Sequence, residues 1–323
     1  MASNSRGLLV ESVLDLIGNT PCVRLSRISE EAGADIFAKL EMANPSGGLK
    51  DRVVRYIVEK AEADGRLRPG MTLIEATTGS TGIATALVGA IKGYPVVIVM
   101  PEGMSVERRR AIQTYGADVI LTPGGGSDID RAITRVREIC ASRPDEYFHV
   151  NQFANPDNVE AHYRQTGPEI WQQLNGQVDA FVMAYGTGAT LTGVGRYLKE
   201  QNPKAFILGV EPAESPVLAR GERGPHRIEG VGDGIIPEIL DVALMDDLEL
   251  VSSDDAYATS RRMARDDGIF SGPSSGANVF AAIQLAKRRP DLKRIVTVLG
   301  DTGWRYLSVD GGLVPRGTFT CTP

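Results

Sequence analysis

The segment LIEATTGSTGIATALVGAIKGYPVVIVM, residues 73–100, contains an apolar run, a glycine-rich turn, a helical pattern and a second apolar run in direct succession. Thr72–Glu75 and Val96–Met100 are rich in apolar and β-branched residues and predict strands, and Thr81–Lys92 predicts a helix between them. A strand, a helix and another strand in this order form the unit from which parallel sheets are built. The segment therefore predicts an α/β fold with helices packed on a mainly parallel sheet.

The same alternation extends along the chain in both directions. Further strands are predicted at Ile36–Leu40, Val119–Leu121, Phe148–Val150, Phe181–Ala184, Phe206–Val210 and Ile295–Leu299. Further helices are predicted at Lys50–Ala63, Val106–Tyr115, Ile129–Ala141, Val159–Leu174, Leu191–Glu200, Asp254–Asp266 and Ala277–Lys287. The longest stretch without periodicity is Pro212–Pro237, and a loop of that length usually carries function or moves.

Composition and charge argue against several classes of protein. The chain has 323 residues and a formal net charge of -6, which fits two domains and gives no sign of a nucleic-acid-binding surface. The one dense basic cluster, Arg108–Arg110, lies in a predicted helix, where we expect a solvated face. Cys22, Cys140 and Cys321 are far apart, so we expect no metal site and a reducing cytoplasm. No segment approaches the ~20 apolar residues of a membrane helix.

Three glycine-rich segments precede predicted helices. They are Thr77–Gly82, Gly186–Thr190 and Gly272–Gly276. The free backbone N–H groups and the dipole at a helix N-terminus favour an anion, although each segment alone is also typical of ordinary helix capping. Three of them in one α/β chain favour ligand binding. None has the spacing of a dinucleotide fingerprint or a P-loop.

Lys50 follows a glycine-rich turn, in the sequence NPSGGLKDR of residues 44–52, and begins a predicted helix. A cation is unfavourable at that end of a helix, because the dipole repels it. One interpretation is an exposed lysine whose stem lies along the helix. The other is a lysine bonded covalently to a carbonyl cofactor, which requires an environment that lowers the amine pKa.

With these segments the chain resembles the cysteine synthase (O-acetylserine sulfhydrylase) and cystathionine β-synthase family of pyridoxal-phosphate (PLP) fold type II. The resemblance runs from LDLIGNTP at residues 14–21 to GDTGWRYL at residues 300–307. It implies two open, twisted, mainly parallel sheets flanked by helices, as in the tryptophan synthase β subunit. It also implies a larger cofactor-binding domain of residues 1–46 and 152–323, a smaller mobile domain of residues 47–151, and a homodimer.

The resemblance assigns a role to each candidate site residue. Lys50 is expected to form the Schiff base with PLP and to move the substrate α-proton. The other cofactor-binding residues are expected to be Ser80 near the ring hydroxyl, Ser274 at the ring nitrogen, and the phosphate-binding residues Gly186, Thr187, Gly188, Ala189 and Thr190. The substrate-binding residues are expected to be Thr77, Thr78, Gly79, Thr81, Gln152, Gly232 and Asp233.

The implied reaction is replacement of the β-substituent of an O-activated L-serine, O-acetylserine or O-phosphoserine, through an aminoacrylate. The second substrate is a small nucleophile, and neither nucleic acid nor membrane is a partner. One rival keeps PLP but stops at elimination, as serine and threonine dehydratases do. A non-catalytic binding protein is the rival from another class, and the intact Lys50 argues against it.

Four positions depart from the family pattern. Ser80 stands where the family usually has Asn, Gly48 where it has Ser, and Ala189 where it has a second Gly. Asp233 stands where many members have a small apolar residue. Asp233-Gly234 is either a simple turn pair, or Asp233 selects or activates the incoming nucleophile. The departures suggest a specialised member that prefers an amine, hydroxyurea or a larger thiol to sulfide.

Overall fold

A computed structural model describes residues 9–125, 128–309 and 313. The strands are β1 Cys22–Arg24, β2 Asp35–Leu40, β3 Thr72–Ala76, β4 Val96–Pro101, β5 Asp118–Thr122, β6 Tyr147–His149, β7 Ala180–Ala184, β8 Phe206–Pro212, β9 Asp247–Val251 and β10 Arg294–Leu299. The α-helices are α1 Ser26–Ala32, α2 Lys50–Ala63, α3 Ser80–Lys92, α4 Val106–Thr114, α5 Ile129–Ser142, α6 Pro156–Ala161, α7 Gly167–Gln173, α8 Ala189–Gln201, α9 Val217–Arg220, α10 Ser253–Asp266 and α11 Pro273–Arg288.

The strands form two separate sheets. The larger has six strands in the order β1-β2-β10-β7-β8-β9, and the smaller has four in the order β5-β4-β3-β6. Every pairing is parallel except that of β1 with β2. The smaller sheet falls wholly between β2 and β7 in the chain, whereas β2 pairs with β10 from the other end of the sequence. The chain therefore builds part of one sheet, then the other sheet, and then completes the first.

Each sheet is buried on both faces by helices. Residues of α1, α10 and α11 cover one face of the six-stranded sheet, and residues of α7 and α8 cover the other. The four-stranded sheet packs against α2, α3 and α4 on one face and against α5 on the other. Strands covered on both faces are almost continuously apolar, as IVTVL in β10 shows, and parallel sheets require that cover.

The predicted α/β fold with two mainly parallel sheets is confirmed. All eight predicted strands form, but the short β1 and the alternating β9 were not predicted. The predicted continuous helix Val159–Leu174 is wrong. It begins earlier, at Pro156, and is divided by a π-helical turn at His162–Thr166. No helix among the described residues is long and apolar enough to span a membrane.

Candidate active site

The main cleft lies beyond the carboxyl ends of β3, β6, β7 and β10, the edge where parallel α/β sheets bind ligands. Its volume, including the open mouth, is about 780 Å³. It is lined by residues of both sheets: Leu49, Lys50, Thr77, Thr78, Ser80, Thr81, Gln152, Phe153, Met183, Ala184, Gly186, Thr187, Gly188, Thr190, Leu191, Glu229, Gly230, Val231, Asp233, Ser274, Asn278, Gly300 and Asp301. The structure thus brings all three glycine-rich segments and Lys50 to one cleft.

Lys50 is the first residue of α2, and its side chain lines this cleft. Among the described residues, no acceptor forms a hydrogen bond or ion pair with its amine. Burial lowers the pKa of Lys50 to about 8, although Asp233 and Glu75 act in the opposite direction. The amine is therefore both unpaired and easier to deprotonate than an ordinary lysine, as carbonyl chemistry requires.

Four helices begin at the cleft. Lys50, Ser80 and Ser274 lie in the first turns of α2, α3 and α11, and Gly188 immediately precedes α8. In none of these four helices does the side chain of the N-cap residue cap the helix, which is also true of α1, α4, α5, α7 and α9. What distinguishes the four is that they begin at one cleft, where their backbone N–H groups and their dipoles together favour anionic ligands.

Buried side chains of α6 and of the π-helical turn hold the loop before α8 in place. Thr187 accepts hydrogen bonds from the Ala189 amide and from the Asn158 side chain, both at 3.4 Å. Buried His162 bridges Thr190 at 3.1 Å and Thr166 at 3.0 Å. Burial lowers the pKa of His162 well below its usual range, so the ring stays neutral and serves as a support.

The loop after β3 is fixed mainly by Gln152. The Gln152 amide donates to the Ala76 carbonyl at 2.9 Å and accepts from the Thr81 hydroxyl. Thr77 accepts from the Gly79 amide at 2.9 Å, which closes the turn. Gly79 has φ +143°, and a Cβ there would lie 2.3 Å from Arg108 Cδ, so only glycine fits. Gln152 lines the cleft, but its amide is used to position the loop.

The two serines predicted to face the cofactor are in different situations. Ser80 accepts a hydrogen bond of 3.0 Å from Arg305, which also donates to the Ser46 carbonyl at 2.7 Å. A Cβ at Gly48 would lie 3.1 Å from this guanidinium, so the departures at Gly48 and Ser80 both adjoin Arg305. The Ser274 hydroxyl makes no hydrogen bond with any described residue and remains available to a ligand.

The mouth of the cleft corrects one prediction. Arg108 is 1% exposed, so the interpretation of Arg108–Arg110 as a solvated face is wrong for this residue. Arg108 donates to the Thr78 carbonyl at 3.1 Å and to the Tyr306 hydroxyl at 2.9 Å, and it forms an ion pair with Glu229. Tyr306 in turn donates to Asp301 at 2.7 Å. These contacts connect the loop after β3 to the segment that follows β10.

Three predicted site residues do not line the cleft. Gly79, Ala189 and Gly232 lie beside lining residues, and they shape the backbone instead. The residues that sequence reasoning missed include Glu229, Asn278 and Asp301, together with the strand-end residues Ala184 and Gly300. The rule that ligands bind at the carboxyl ends of parallel strands would have indicated the strand-end residues, because β7 and β10 were both predicted.

Comparison with known proteins agrees with this geometry. Residues 13–301 match the family model described as pyridoxal-phosphate dependent enzyme. A cysteine synthase of Staphylococcus aureus is 45% identical over 300 residues, covering 93% of this chain and 96% of the relative. The crystal structure of a cysteine synthase from Entamoeba histolytica has a TM-score of 0.91 at 39% identity, covering 98% of this chain and 95% of that chain. The crystal structure of an O-ureido-L-serine synthase has a TM-score of 0.90 at 40% identity, covering 96% and 98%.

The chain belongs to the pyridoxal-phosphate dependent enzyme family. Within that family it shares the fold type II architecture of the cysteine synthases. The residues present fit the cofactor, because PLP needs an unpaired amine for its aldehyde and backbone donors for its phosphate. Lys50 and the glycine-rich loop at the start of α8 provide these in one cleft.

Proposed function

We propose that this enzyme replaces the β-substituent of an O-activated L-serine, O-acetylserine or O-phosphoserine, by a small nucleophile. The observation that carries the proposal is the unpaired Lys50 amine, which shares one cleft with the uncapped N-termini of α3 and α8. The names of the relatives, cysteine synthase and O-ureido-L-serine synthase, support this class of reaction.

The cofactor would be held at three places. Lys50 would bond its aldehyde carbon, and Gly186–Thr190 with the first turn of α8 would bind its phosphate. Ser274, whose hydroxyl is free, would lie at the ring nitrogen, and Ser80 near the ring hydroxyl. When bound, PLP supplies an electron sink that makes the substrate α-proton acidic and the β-substituent a leaving group.

Lys50 would then act as the acid and base. When not bonded to the cofactor, the Lys50 amine would take the substrate α-proton and later return it to the same carbon. A general base works best with a pKa near the working pH, and burial lowers the pKa of Lys50 to about 8. Its position at the start of α2 keeps the amine in the cleft during both transfers.

The loop Thr77–Thr81 would bind the substrate carboxylate. It leads into the uncapped N-terminus of α3, and Gln152 holds Thr81 in a fixed orientation. A carboxylate at this helix end would gain both backbone donors and a favourable dipole. The ion pair with Glu229 holds Arg108 in one position. Arg108 would in turn fix the Thr78 carbonyl beside the bound carboxylate.

We further propose the domain boundaries that the resemblance implies, with residues 47–151 as the smaller mobile domain. All four strands of the smaller sheet and the loop Thr77–Thr81 lie in this range, so its movement would close the carboxylate-binding loop over the substrate.

We also propose a cytoplasmic homodimer. The exposed apolar side chains of Leu9, Val13 and Leu16 support an interface, and the free thiols of Cys22 and Cys140 support a reducing compartment.

The test is product analysis by mass spectrometry. The PLP-loaded protein is mixed with O-acetylserine, O-phosphoserine or unmodified serine, each with sulfide, and the β-substituted amino acid is quantified. We expect a product from an O-activated serine and none from the Lys50→Ala protein. Formation of a keto acid without a substituted amino acid would instead show elimination and would contradict the proposal.

A further inference from the structure

A second cavity adjoins the main cleft at its mouth. The two cavities share Thr78, Glu229, Gly230, Val231 and Asp233, and the outer one extends to His226 and Met104. A molecule that enters from the outer cavity must pass these shared residues to reach Lys50. Since the amino-acid substrate would occupy the inner cleft, the outer cavity is the natural position for the second substrate.

Two acidic groups of the main cleft already have partners, Glu229 at its junction with the outer cavity and Asp301 further in. Glu229 is paired with the guanidinium of Arg108. Asp301 accepts the Tyr306 hydroxyl at 2.7 Å and lies 3.6 Å from Arg305. The charges of both carboxylates are therefore compensated by groups of the chain itself, although Asp301 Oδ1 has no hydrogen-bond partner among the described residues.

Asp233 differs from both. It is only 8% exposed, yet among the described residues no donor forms a hydrogen bond or salt bridge with its carboxylate. A turn-forming aspartate would bond a nearby backbone N–H, so the simple turn interpretation of Asp233-Gly234 has no support in the contacts. A buried carboxylate without a partner is costly, and a ligand that donates a hydrogen bond would remove that cost.

The segment that carries Asp233 is held firmly. His226 donates from Nε2 to the Gly232 carbonyl at 2.8 Å and accepts at Nδ1 from the Ile228 amide at 3.2 Å. These two bonds fix the orientation of the ring. The Gly232 amide donates to the Tyr185 carbonyl at 3.1 Å, which ties the segment to the end of β7. Asp233 is therefore presented to the cleft by a fixed backbone.

We propose that Asp233 is the general base for the second substrate, and that this substrate is an uncharged nucleophile with an O–H or N–H group. The inference rests on the proposed β-replacement. Loss of the α-proton and departure of the leaving group with its bonding electrons leave a double bond between the α- and β-carbons of the substrate. The nucleophile lone pair forms the new bond to the β-carbon, the π bond opens, and its electron pair takes the proton that Lys50 returns to the α-carbon. The O–H or N–H bond breaks, and its proton passes to an Asp233 oxygen and then to solvent when the product leaves.

Hydrosulfide needs no such base, because it is already an anion, and a carboxylate on its route repels it. An O–H or N–H nucleophile is a poor one until its proton is removed, so a base gives it a large advantage. Burial raises the pKa of Asp233 to about 6, with His226, Lys50 and Arg108 opposing the rise. At pH 7 to 8 the group is therefore ionised and still a stronger base than an ordinary aspartate.

The experiment compares nucleophiles at saturating O-acetylserine with the PLP-loaded enzyme. The probes are hydroxyurea for O–H, 1,2,4-triazole for N–H, and sulfide as the anionic reference. In Asp233→Asn, which keeps the size and one acceptor oxygen, we expect the kcat/KM ratio of either neutral probe to sulfide to fall ~100-fold. In Asp233→Ala, added formate should restore part of the lost rate with the neutral probes. The control Glu222→Gln removes an exposed carboxylate from the same loop and should keep the wild-type ratio.

Several outcomes would overturn the inference. They are an unchanged ratio in Asp233→Asn, an equal loss with all three nucleophiles, or a wild-type enzyme that uses sulfide far better than both neutral probes. The change in visible absorbance on mixing with O-acetylserine shows that each variant is folded and loaded. If sulfide gives the product and Asp233→Asn changes nothing, the inference about Asp233 fails and the proposed function stands. If no nucleophile gives a product, the proposed function itself is refuted.

Discussion

The molecule has two regions of buried charge, and they are built in opposite ways. The first, the closed ion cluster, consists of Lys39, Glu41, Arg52 and Glu169. Arg52 donates to both Glu41 oxygens at 2.8 Å and to the two Glu169 oxygens at 2.7 and 2.8 Å. Lys39 lies 2.6 Å from Glu169. Burial alone would raise the pKa of Glu41, but Arg52 lowers it, so the charges remain.

The second region is the cleft, where the charges are not matched. Lys50 has no acceptor, Asp233 has no donor, and Arg108 leaves its Nε without a partner among the described residues. Both regions contain lysine, arginine and carboxylate side chains, although Lys50 is less buried than Lys39 and Arg52. Pairing distinguishes the two regions: a fully paired cluster stabilises the fold, and groups without partners are available to a ligand.

Replacing Arg52 should have the largest effect on stability. In Arg52→Met the buried carboxylates of Glu41 and Glu169 keep only Lys39 as a cation, and we expect a loss of about 3–5 kcal/mol. Urea and thermal unfolding would measure it. Arg55→Met, on the same helix but with partly exposed partners, is the matched control and should cost less than about 1 kcal/mol. Equal losses would show that the closed cluster is not special.

The unpaired state of Lys50 should appear as a shifted pH dependence. Only the neutral amine attacks an aldehyde, and burial lowers the pKa of Lys50 to about 8, so the neutral fraction rises as pH increases through about 8. Reconstitution of the cofactor-free protein with PLP should accelerate across that range, as followed by visible absorbance. N-acetyl-lysine amide, with an ordinary amine, supplies the reference series. If the reconstitution rate of the protein reached its midpoint at a pH as high as that of the free lysine, the pKa of Lys50 would not be lowered. The interpretation of Lys50 as an unpaired, desolvated amine would then be wrong.

Arg108 should affect catalysis more than folding. In Arg108→Met, Glu229 loses its cation, but its side chain is 19% exposed and can recover water, so we expect a smaller loss of stability than in Arg52→Met. The Thr78 carbonyl loses its donor, and misplacement of the loop should lower kcat/KM for the amino-acid substrate ~10-fold or more. Arg110→Met, an exposed neighbour, is the control. If kcat/KM were unchanged in Arg108→Met, Arg108 would have a structural role only.

Tyr306→Phe should give the smallest effect. The change removes the hydroxyl between Arg108 and Asp301 while keeping the ring, over which the Arg108 guanidinium lies at 5.1 Å. We expect a loss of about 1–3 kcal/mol, because both former partners remain buried. Tyr163→Phe, whose hydroxyl bonds Glu200 at an exposed position, should be nearly neutral in the same thermal unfolding assay. A neutral Tyr306→Phe would mean that the mouth contacts contribute nothing to stability.

Apolar periodicity predicted most of the fold because parallel strands are covered on both faces. β4 and β10 are continuous runs of Val, Ile and Leu with one or two other residues, and such runs are visible without knowledge of their neighbours. β9 alternates Leu with charged residues at an edge of its sheet, and β1 has three residues, so neither gives that signal. The π-helical turn at His162–Thr166 depends on packing against α8, which no local pattern encodes.

The candidate site was predictable where backbone chemistry defines it and not where packing does. The glycine-rich loops and Lys50 stand out from composition and position in the sequence. Arg108 belongs to a run of three arginines, and nothing local distinguishes the one that is buried under Gly79. Glu229 lines the cleft through its ion pair with Arg108, a residue distant in the sequence that only the folded chain brings to it.

The four uncapped helix starts at the cleft have a consequence for the cell. A ligand that binds only the folded chain at these helix starts stabilises it by mass action, and the cofactor of this family is a vitamin B6 derivative. We therefore expect the PLP-loaded protein to resist proteolysis longer than the cofactor-free protein.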